Sequence, residues 1–320
     1  MNQYTVLGRI GEGAHGYVMK GVNKFTGTEV ALKKLIIKNL DEGIPVNVMR
    51  EIASLQVLNS DYIVKLLNII PHGMGFVLVM EYLPSSLYDV LRDTDNPLNE
   101  AQIKCYMKML LFGVKYMHEN HIMHRDLKPA NLLIAQDGTL KIADFGLARI
   151  YVKNEPNRQY SHQVATRWYR APELLYGSHN YTTAVDMWAV GCIMSELYNK
   201  TPLFPGETDI EQLAIVLHTL GTPNEESWPG LAKLPDYNKI TFSYSSGLSW
   251  NAIVPDIADE SLDLIKNFLL YNHCKRLNAR EALNHAYFFI KPLACSLTEM
   301  LKPDSIKPCE MPKFEEFDLI

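Results

Sequence analysis

The first 83 residues contain short apolar runs separated by glycine and asparagine. The runs YTVLGRIG, YVMKGVN and EVALKKL are rich in Val, Leu and Tyr, and IVKLLNII and GFVLVMEYL resume this character further on. Such runs between turn residues predict β-strands. Residues 45–58 (PVNVMREIASLQVL) instead have the apolar spacing of a helix, and Pro45 suits its first turn. The pattern therefore predicts a small β-rich lobe with one main helix.

From about residue 84 the apolar positions follow helical spacing. The clearest case is NEAQIKCYMKMLLFGVKYMHEN, in which Asn99 is a natural N-cap. Its apolar stripe consists of Ile103, Tyr106, Met107, Leu110, Leu111, Val114 and Met117. A stripe of this kind predicts core packing. TTAVDMWAVGCIMSELYN and DESLDLIKNFLL predict further helices, so this part of the chain forms a larger, mostly helical lobe.

Together the two patterns predict an α+β fold of two lobes, with any ligand in the cleft between them. We assign residues 1–83 to an N-lobe and 84–289 to a C-lobe, with a hinge near 81–86. The last stretch, 290–320, combines proline and charge without clear periodicity. It predicts a C-terminal tail, either disordered or packed on the domain.

Charge, cysteine content and hydropathy narrow the class of protein. The 320-residue chain has a formal charge of −5, so we expect no nucleic-acid partner. Its five cysteines are odd in number and contain no Cys-x-x-Cys pair, which favours reduced thiols in the cytosol or nucleus. The start MNQYTVLGRI lacks a signal-peptide pattern, and no apolar run approaches the roughly 18 residues that span a bilayer. We therefore expect a soluble protein of the cytoplasm and nucleus that has no membrane partner.

Three glycines, Gly11, Gly13 and Gly16, have the spacing G-x-G-x-x-G, which two unrelated phosphate-binding devices share. A dinucleotide-binding fold requires a helix directly after the glycines and an acidic residue about 20 positions on. Here YVMKGVN follows, and Lys33 stands 17 residues beyond Gly16. The pattern favours a β-hairpin whose glycine tip lies over nucleotide phosphates, where the absence of side chains permits close approach.

Three further motifs accompany this hairpin: HRDLKPANLL at 124–133, KIADFGLAR at 141–149 and WYRAPELL at 168–175. Each alone resembles a charged loop beside an apolar strand. In this order and at these separations they resemble the eukaryotic protein kinases, over about residues 4–289. The resemblance implies a bilobal kinase fold and transfer of the γ-phosphate of ATP to protein hydroxyls, with ATP and Mg²⁺ as cofactors.

The resemblance implies a catalytic loop built around Asp126, which takes the general-base position. Lys128 is expected to contact the γ-phosphate, and its place two residues after the base favours serine or threonine as acceptor, as does Thr166. His124 is expected to pack within the catalytic loop. Asp186 is expected to stabilise that loop through hydrogen bonds with the loop backbone. A buried ion pair between Glu173 and Arg276 is expected in the C-lobe.

The same resemblance implies the nucleotide and metal positions. Lys33 is expected to hold the α- and β-phosphates and to pair with Glu51, and with Asp126, Lys128 and Asn131 it completes the catalytic set. Asn131 and Asp144 are expected to bind Mg²⁺, which prefers such oxygen ligands. The implied ATP-binding residues are Ile10, Gly11, Gly13, Gly16, Val18, Ala31, Lys33, Glu51, Glu81, Leu83 and Leu133.

Within the kinases, EGIPVNVMREIASL resembles the cyclin-contacting helix of the cyclin-dependent kinases, and residues 221–242 resemble the extra helical insert of that group. The resemblance implies a cyclin or cyclin-like activator and an activating kinase as partners. In the activation segment, 144–173, Ser161 stands at the position where a phosphate would order the loop. The arginines implied to bind that phosphate are Arg50, Arg125 and Arg149.

Val164, Ala165 and Arg170 match the surface that prefers proline directly after the phosphorylated residue, so Ser/Thr-Pro substrates are expected. At the tip of the glycine loop, Ala14 and His15 replace the two hydroxyl residues whose phosphorylation inhibits cell-cycle members of the group. Inhibitory phosphorylation at the loop tip is therefore expected to be absent. We interpret His15 as an exposed loop residue rather than as a pH sensor. The group resemblance also suggests cell-cycle and cilium-related roles.

Two alternatives remain open. A mitogen-activated kinase usually carries Thr-x-Tyr in the activation segment, which QYSHQV lacks. Phosphorylation by a dual-specificity kinase would separate that group from the cyclin-dependent one. The second alternative is a module that binds nucleotide without transferring phosphate, and incubation with labelled ATP and a Ser-Pro peptide would separate it from an active kinase.

Overall fold

The computed structural model describes residues 2–13, 16–37, 44–152, 159–161 and 164–306. The N-lobe is built on five antiparallel strands in the order β1-β2-β3-β5-β4. The strands are β1 (Tyr4–Gly13), β2 (Gly16–Asn23), β3 (Glu29–Ile36), β4 (Leu66–His72) and β5 (Gly75–Glu81). The five apolar runs of the sequence thus form strands, as predicted, and these strands make one sheet. The loop-tip residues Ala14 and His15 lie outside the described residues.

One helix, α1 (Val46–Val57), packs on this sheet. Pro45 stands at its N-cap position, one residue before the first helical turn. The buried positions Val48, Glu51 and Leu55 recur at three- and four-residue spacing, as an amphipathic helix requires. This spacing turns Glu51 toward the sheet and leaves Val46 exposed to solvent on the opposite side.

The C-lobe is mostly helical. Its helices are α2 (Leu87–Arg92), α3 (Glu100–Glu119), α4 (Pro172–Leu175), α5 (Ala184–Asn199), α6 (Asp209–Leu220), α7 (Trp250–Ile253), α8 (Asp259–Phe268) and α9 (Ala279–Leu283). All seven residues of the predicted stripe on α3 are buried, and Asn99 caps the helix with a reciprocal bond to Gln102. No helix among the described residues is both long and apolar enough to cross a bilayer.

Five very short strands shape the loops that face the cleft. They are β6 (Ser85–Ser86), β7 (Ile122–Met123), β8 (Leu132–Ile134), β9 (Leu140–Ile142) and β10 (Arg149–Ile150). β6 pairs with β8 and β8 with β9, while β7 pairs with β10. These pairings hold two loops side by side, residues 124–131 between β7 and β8 and residues 143–148 between β9 and β10.

The apolar spacing of the sequence did not determine the structure of two segments, the insert at 221–242 and the C-terminal tail. The insert at 221–242 contains the 3₁₀ turns Leu231–Lys233 and Tyr237–Lys239 and no α-helix, so its predicted helical character is limited to single turns. The described part of the tail packs on the C-lobe: Cys295 N–H donates to the Ala101 carbonyl at 3.2 Å, and Met300 is buried. Residues 290–306 of the tail are therefore packed on the domain, which is one of the two predicted states, while 307–320 lie outside the described residues.

Candidate active site

The cleft between the lobes brings together Lys33 from β3, Glu51 from α1 and Asp144 from the loop after β9. Lys33 Nζ donates to Glu51 Oε1 at 2.5 Å and to Asp144 Oδ1 at 2.7 Å. Lys33 and Glu51 are buried, whereas the Asp144 side chain is 47% exposed toward the cleft. The predicted Lys33–Glu51 pair is therefore present, and it reaches a third residue 111 positions along the chain.

The opposite charges of Lys33 and Asp144 each favour the ionised form of the other. Burial alone would lower the pKa of Lys33, but the charges of Glu51 and Asp144 outweigh it and raise this pKa above 10.5. Burial would likewise raise the pKa of Asp144, but the charge and hydrogen bond of Lys33 lower it below 3.8. The ionised Asp144 is thus favoured above its ordinary pKa and lost only as pH falls through the lowered value. The charged Lys33 is favoured below 10.5 and lost only as pH rises through its raised value.

The backbone at Asp144 has φ of 61°, a left-handed conformation that is uncommon for a residue other than glycine. It directs the carboxylate to Lys33 while Phe145 is fully buried. The Phe145 ring meets the His124 ring edge-on with centroids 5.0 Å apart. This packing fixes the loop against the base of the cleft.

Asp126 is the acceptor of a dense set of hydrogen bonds. Lys128 Nζ and Asn131 Nδ2 donate to its Oδ2 at 2.9 and 3.1 Å. The N–H and hydroxyl of Thr166 donate to its Oδ1 at 2.8 and 3.0 Å, and Lys128 Nζ also donates to the Thr166 hydroxyl at 2.8 Å. The structure thus brings together the predicted loop residues and adds Thr166, whose contact with Asp126 spans 40 positions and leaves no periodic pattern in the sequence.

Asp186, at the start of α5, holds the loop 124–131 in place through hydrogen bonds with its backbone. It is fully buried and accepts the backbone N–H groups of His124 and Arg125 at 2.9 and 2.8 Å. His118 Nε2 lies 2.8 Å from its other side. Burial alone would raise the pKa of Asp186, but the hydrogen bond and charge of His118 help to hold it below its ordinary value. The bracing role expected for Asp186 fits these bonds, whereas His118 had no sequence motif to identify it.

His124 packs the same loop without an exposed nitrogen. Its Nε2 is 3.0 Å from the Ala143 carbonyl, and the Asp126 N–H donates to its Nδ1 at 3.2 Å. These partners require the neutral tautomer that carries the proton on Nε2. With both nitrogens engaged, His124 has no group left for proton transfer.

The glycine loop is a hairpin, since β1 pairs with β2 in antiparallel register and no helix follows. This excludes the dinucleotide-binding arrangement. At Gly16, φ is 154° and a Cβ would collide with the Lys34 carbonyl, so only glycine fits. At Gly11 an added Cβ would meet only Val18, at 3.8 Å, so packing within the chain does not require glycine there. Gly13 ends β1 opposite Gly16.

The remaining residues implied for nucleotide binding lie on β1, β2, β3 and β8 and at the end of β5 and just after it. Ala31 and Leu83 are buried, and neither backbone polar group of Leu83 makes a hydrogen bond within the described residues. Glu81 donates its backbone N–H to Lys65, while its carboxylate pairs with Lys141 at 2.9 Å. The other implied wall residues are Ile10 (38% exposed), Val18 and Leu133 (both partly buried).

Ser161 and two of the three implied arginines are connected through tyrosines. Arg125 donates to the Tyr181 hydroxyl at 2.8 Å, and that hydroxyl donates to the Ser161 carbonyl at 2.6 Å. Arg149 lies over the Tyr160 ring, 5.3 Å from its centroid. Arg50 lies on α1 beside Glu51. The tyrosine bridge was not apparent in the sequence, because Tyr181 lies outside every motif.

Arg170 holds the loop at Val164 and Ala165. Its guanidinium donates to the carbonyls of both residues, at 2.8 and 2.9 Å, and to Asp209 Oδ1 at 2.9 Å. Ala165 is left-handed, with φ of 68°. Beside these residues lies an open depression of about 530 Å³ that also involves Thr166 and Trp168. The three predicted residues therefore do meet, and Asp209 joins them.

Known proteins with similar sequences are protein kinases. Residues 4–288 match the family model described as the protein kinase domain. The chain is 57% identical over 304 residues to cyclin-dependent kinase 20 of Danio rerio, covering 95% of this chain and 88% of that protein. It is 52% identical over 307 residues to cyclin-dependent kinase 20 of Homo sapiens, covering 96% and 88%.

Solved structures agree with this similarity. The yeast RNA polymerase II CTD kinase CTDK-1 complex contains a chain with a TM-score of 0.84 and 35% identity, covering 93% of this chain and 96% of that one. The CAK complex of Chaetomium thermophilum bound to ATP-γ-S gives a TM-score of 0.85 and 35% identity, covering 94% and 95%. The predicted bilobal kinase fold is thereby confirmed. The chain belongs to the protein kinase family and, within it, to the cyclin-dependent kinases, which are serine/threonine protein kinases.

Proposed function

We propose that the protein transfers the γ-phosphate of ATP, with Mg²⁺, to serine or threonine directly before proline, and that phosphorylation at Ser161 activates it. The observation that carries this proposal is a pair of hydrogen-bond networks at the cleft. Asp126 is bonded to Lys128, Asn131 and Thr166, and Asp144 of the neighbouring loop is bonded to Lys33 of the N-lobe. A similar chain is described as bound to ATP-γ-S, which supports ATP as the phosphate donor.

The residues of the cleft have separable roles in this reaction. Lys33, held by Glu51, positions the α- and β-phosphates. Asp126 orients the acceptor hydroxyl and takes its proton as the oxygen attacks the γ-phosphorus. The bond from the γ-phosphorus to the bridging oxygen breaks and ADP leaves, while Lys128 balances charge on the transferred phosphoryl group. Because the Thr166 hydroxyl forms hydrogen bonds with both Asp126 and Lys128, it fixes the positions of these two side chains relative to each other.

Asn131 and Asp144 carry oxygen atoms of the kind that would hold a Mg²⁺ ion. The Asn131 amide nitrogen is occupied by the carbonyl and carboxylate of Asp126, which leaves its amide oxygen available. The Ala143 N–H donates to the Asn131 carbonyl at 2.9 Å, so the next residue, Asp144, lies beside it. Mg²⁺ commonly takes only one or two protein carboxylates together with phosphates and water. When bound, it would neutralise charge on the phosphates.

A cyclin-like partner fits the exposed side of α1. Ile44 is 41% exposed, Val46 61% and Met49 48%, although all three are apolar. Ile44 precedes the helix that carries Glu51, and Val46 and Met49 lie in its first turn. A partner bound there would therefore contact the helix that positions the Lys33–Glu51 pair. Relatives named cyclin-dependent kinases and a similar chain within a CAK complex support this class of partner.

The arrangement at Ala165 predicts the preference for proline. Because Arg170 occupies the Ala165 carbonyl, a substrate backbone N–H at the +1 position has no acceptor there. Proline has no N–H, whereas another residue would leave a donor unsatisfied at a cost of about 1–3 kcal/mol. Replacing the +1 proline of a Ser-Pro peptide by alanine is therefore expected to lower kcat/KM about 5- to 150-fold.

N-methylalanine at +1 is the matched control, because it lacks the N–H but also lacks the proline ring. It should recover most of the lost kcat/KM. Equal kcat/KM for the proline and alanine peptides would contradict the proposed specificity.

Ser161 is exposed in the segment that Tyr181 ties to Arg125. A phosphate on its hydroxyl would add charge-assisted bonds to nearby arginines and order the segment that carries Thr166. We expect Ser161→Ala to lower kcat about 5- to 150-fold after treatment with an activating kinase, a range typical of coupling between a switch and a site. The measurement is peptide phosphorylation, with Ser161 occupancy determined by mass spectrometry.

Ser243→Ala, at an exposed serine of the C-lobe, is the control and should respond to the activating kinase as the unaltered chain does. Full activation of the Ser161→Ala chain would instead rule out the assigned phosphosite.

A further inference from the structure

Two cysteines and a methionine meet where the C-terminal tail crosses α3. Cys105 lies on α3, and Cys295 lies in the tail, where its N–H donates to the Ala101 carbonyl one turn before Cys105. The two thiols form a hydrogen bond with each other. The Cys295 thiol also donates to Met300 Sδ at 3.2 Å. Three sulfur atoms from two separate segments of the chain therefore form one group, which we call the sulfur cluster.

The burial of the sulfur cluster is uneven. Cys105 is 8% exposed and Met300 is 4% exposed, whereas Cys295 is only partly buried. A small ion can therefore reach the Cys295 sulfur from solvent without any opening of the core. The two more deeply buried sulfurs would then hold the ion away from water.

The tail backbone around the sulfur cluster is already held on the C-lobe. Gln102 Nε2, on α3, donates to the Glu299 carbonyl at 3.0 Å. Further along the tail, Asp304 Oδ2 accepts a hydrogen bond of 2.7 Å from Gln136 Nε2, in the turn between β8 and β9. Because these contacts place the tail beside α3, the sulfur atoms do not have to be brought together from distant positions when an ion binds.

The donor atoms of the sulfur cluster indicate which metal it would bind. Among the described residues, no group of three or more His, Cys, Asp or Glu side chains is placed to hold a metal ion. Zinc sites are built from such side chains, usually four of them or three with a water. Thiolate and thioether sulfurs are soft ligands and select Cu(I). Two thiolates and one thioether therefore match Cu(I) and do not match zinc.

The sulfur positions require little adjustment to bind one ion. At a metal–sulfur distance of about 2.3 Å, the value for zinc thiolates, two sulfurs spaced at roughly 120° around an ion lie about 4 Å apart. Cys295 Sγ and Met300 Sδ are 3.2 Å apart, so they would separate by about 0.8 Å. The methionine side chain is unbranched and has three rotatable bonds, which allow a shift of this size.

We propose that Cys105, Cys295 and Met300 form a Cu(I) site that joins the tail to α3. On binding, each thiol releases its proton to solvent and forms a sulfur–copper bond, and the thioether donates a lone pair without a change of protonation. Copper enters and remains as Cu(I), so no electron is transferred and no oxidant is required. None of the three residues belongs to the active site, and the proposal is independent of phosphate transfer.

The release of two protons gives this site a distinctive pH dependence. Burial and the neighbouring Cys295 sulfur raise the pKa of Cys105 to about 12, and burial also raises the pKa of Cys295. Both thiols are therefore protonated between pH 6 and 8, and the Cu(I) binding constant should rise about 100-fold per pH unit, tenfold for each proton released. The other titratable groups that face the thiols are Tyr62, Tyr106, Lys108 and Glu299. Side chains of these types ordinarily titrate outside this pH range.

The test uses the full chain with Cys274→Ser and Cys309→Ser as the background, because Cys274 is exposed and Cys309 lies outside the described residues. Copper is kept as Cu(I) by ascorbate under nitrogen. Competition with the chromophoric chelator bicinchoninate measures Kd from pH 6 to 8, and X-ray absorption identifies the donor atoms. We expect one Cu(I) per chain, three sulfur donors, and an affinity that rises about 100-fold per pH unit.

Two variants separate the contributions of the ligands. Cys295→Ser should weaken Cu(I) binding by at least about 100-fold, since loss of a ligand costs no less than loss of an outer-shell partner, and the affinity should then rise only about tenfold per pH unit. Met300→Leu keeps the apolar packing but removes the thioether, so binding should weaken about 10-fold with the 100-fold pH dependence unchanged. Met74→Leu, at an exposed methionine of the N-lobe, is the control and should keep the Kd of the background chain.

The proposal is overturned if the background chain does not take Cu(I) from the chelator, or if Cys295→Ser or Met300→Leu binds Cu(I) as tightly as that chain does. Nitrogen or oxygen donors in the X-ray absorption spectrum would also overturn it. The spectrum and the pH dependence are measured on a chain with an intact sulfur cluster, so they decide the matter even if a variant fails to fold. None of these measurements requires phosphate transfer, so a failure of the proposed function would be seen separately.

Discussion

Replacing Asp126 by asparagine is expected to lower kcat for phosphate transfer by about 10²- to 10⁴-fold, the range typical of a lost general base. Both Asp126 oxygens accept hydrogen bonds, from Lys128, Asn131 and Thr166. The amide of asparagine would place an NH₂ group against the donors at one of the two oxygen positions, and it would not take the proton of the acceptor hydroxyl. ATP binding should change little, because Lys33 and the glycine hairpin are untouched. Peptide phosphorylation and nucleotide titration together check both expectations.

Asp61→Asn provides the control, since Asp61 is exposed and belongs to no bond network of the cleft. It should keep the kcat of the unaltered chain. The thermal melt shows whether the Asp126→Asn protein is folded. If the folded variant transfers phosphate at a normal rate, Asp126 is not the general base. A loss of ATP binding equal to the loss of transfer would also contradict this assignment.

Replacing Arg276 by methionine is expected to destabilise the protein by about 3–5 kcal/mol, the usual cost of breaking a buried ion pair on one side. Arg276 donates to Glu173 at 2.7 Å through both terminal nitrogens, and its side chain is fully buried. It also donates to the Leu270 carbonyl and lies 5.0 Å from the Trp188 ring centroid. Removal leaves the Glu173 carboxylate in the core without a cation. Chemical denaturation measures the change in the free energy of unfolding.

Arg280 offers a matched comparison, because it forms an ion pair with Glu119 at a similar distance, 2.6 Å, but is 71% exposed. Arg280→Met should cost no more than about 1 kcal/mol. In the double variant Arg276→Met/Glu173→Gln, part of the loss should be recovered, since the lone buried charge is gone. Equal effects of the buried and the exposed arginine would contradict the account of the C-lobe core.

The sequence predicted features that depend on local pattern or on a known motif. The stripe on α3 was predictable because buried positions of a helix recur every three to four residues. The hairpin at Gly11–Gly16 was predictable because β-strand residues, and no helix, follow the glycines. The approach of Lys33 to Glu51 came from the family resemblance, and the structure has them in contact.

Contacts between distant loops left no such pattern. Thr166 reaches Asp126 because Arg170 and Asp209 set the course of the loop, and no spacing in the sequence encodes that course. The Tyr181 bridge between Arg125 and Ser161 depends on the same folding of the activation segment. The hydrogen bond from the Tyr169 hydroxyl to Glu196 was also not predictable, because the two residues stand 27 positions apart.

The central claim is that Lys33, Asp126 and Asp144 act on one Mg²⁺–ATP complex in the cleft. The most direct measurement is a crystal structure of the full chain with Mg²⁺ and a non-hydrolysable ATP analogue. We expect Lys33 Nζ on the α- and β-phosphates, the metal on oxygens of Asp144 and Asn131, and the γ-phosphate facing Asp126. Nucleotide bound elsewhere, or phosphates turned away from Lys33 and Asp144, would contradict the account.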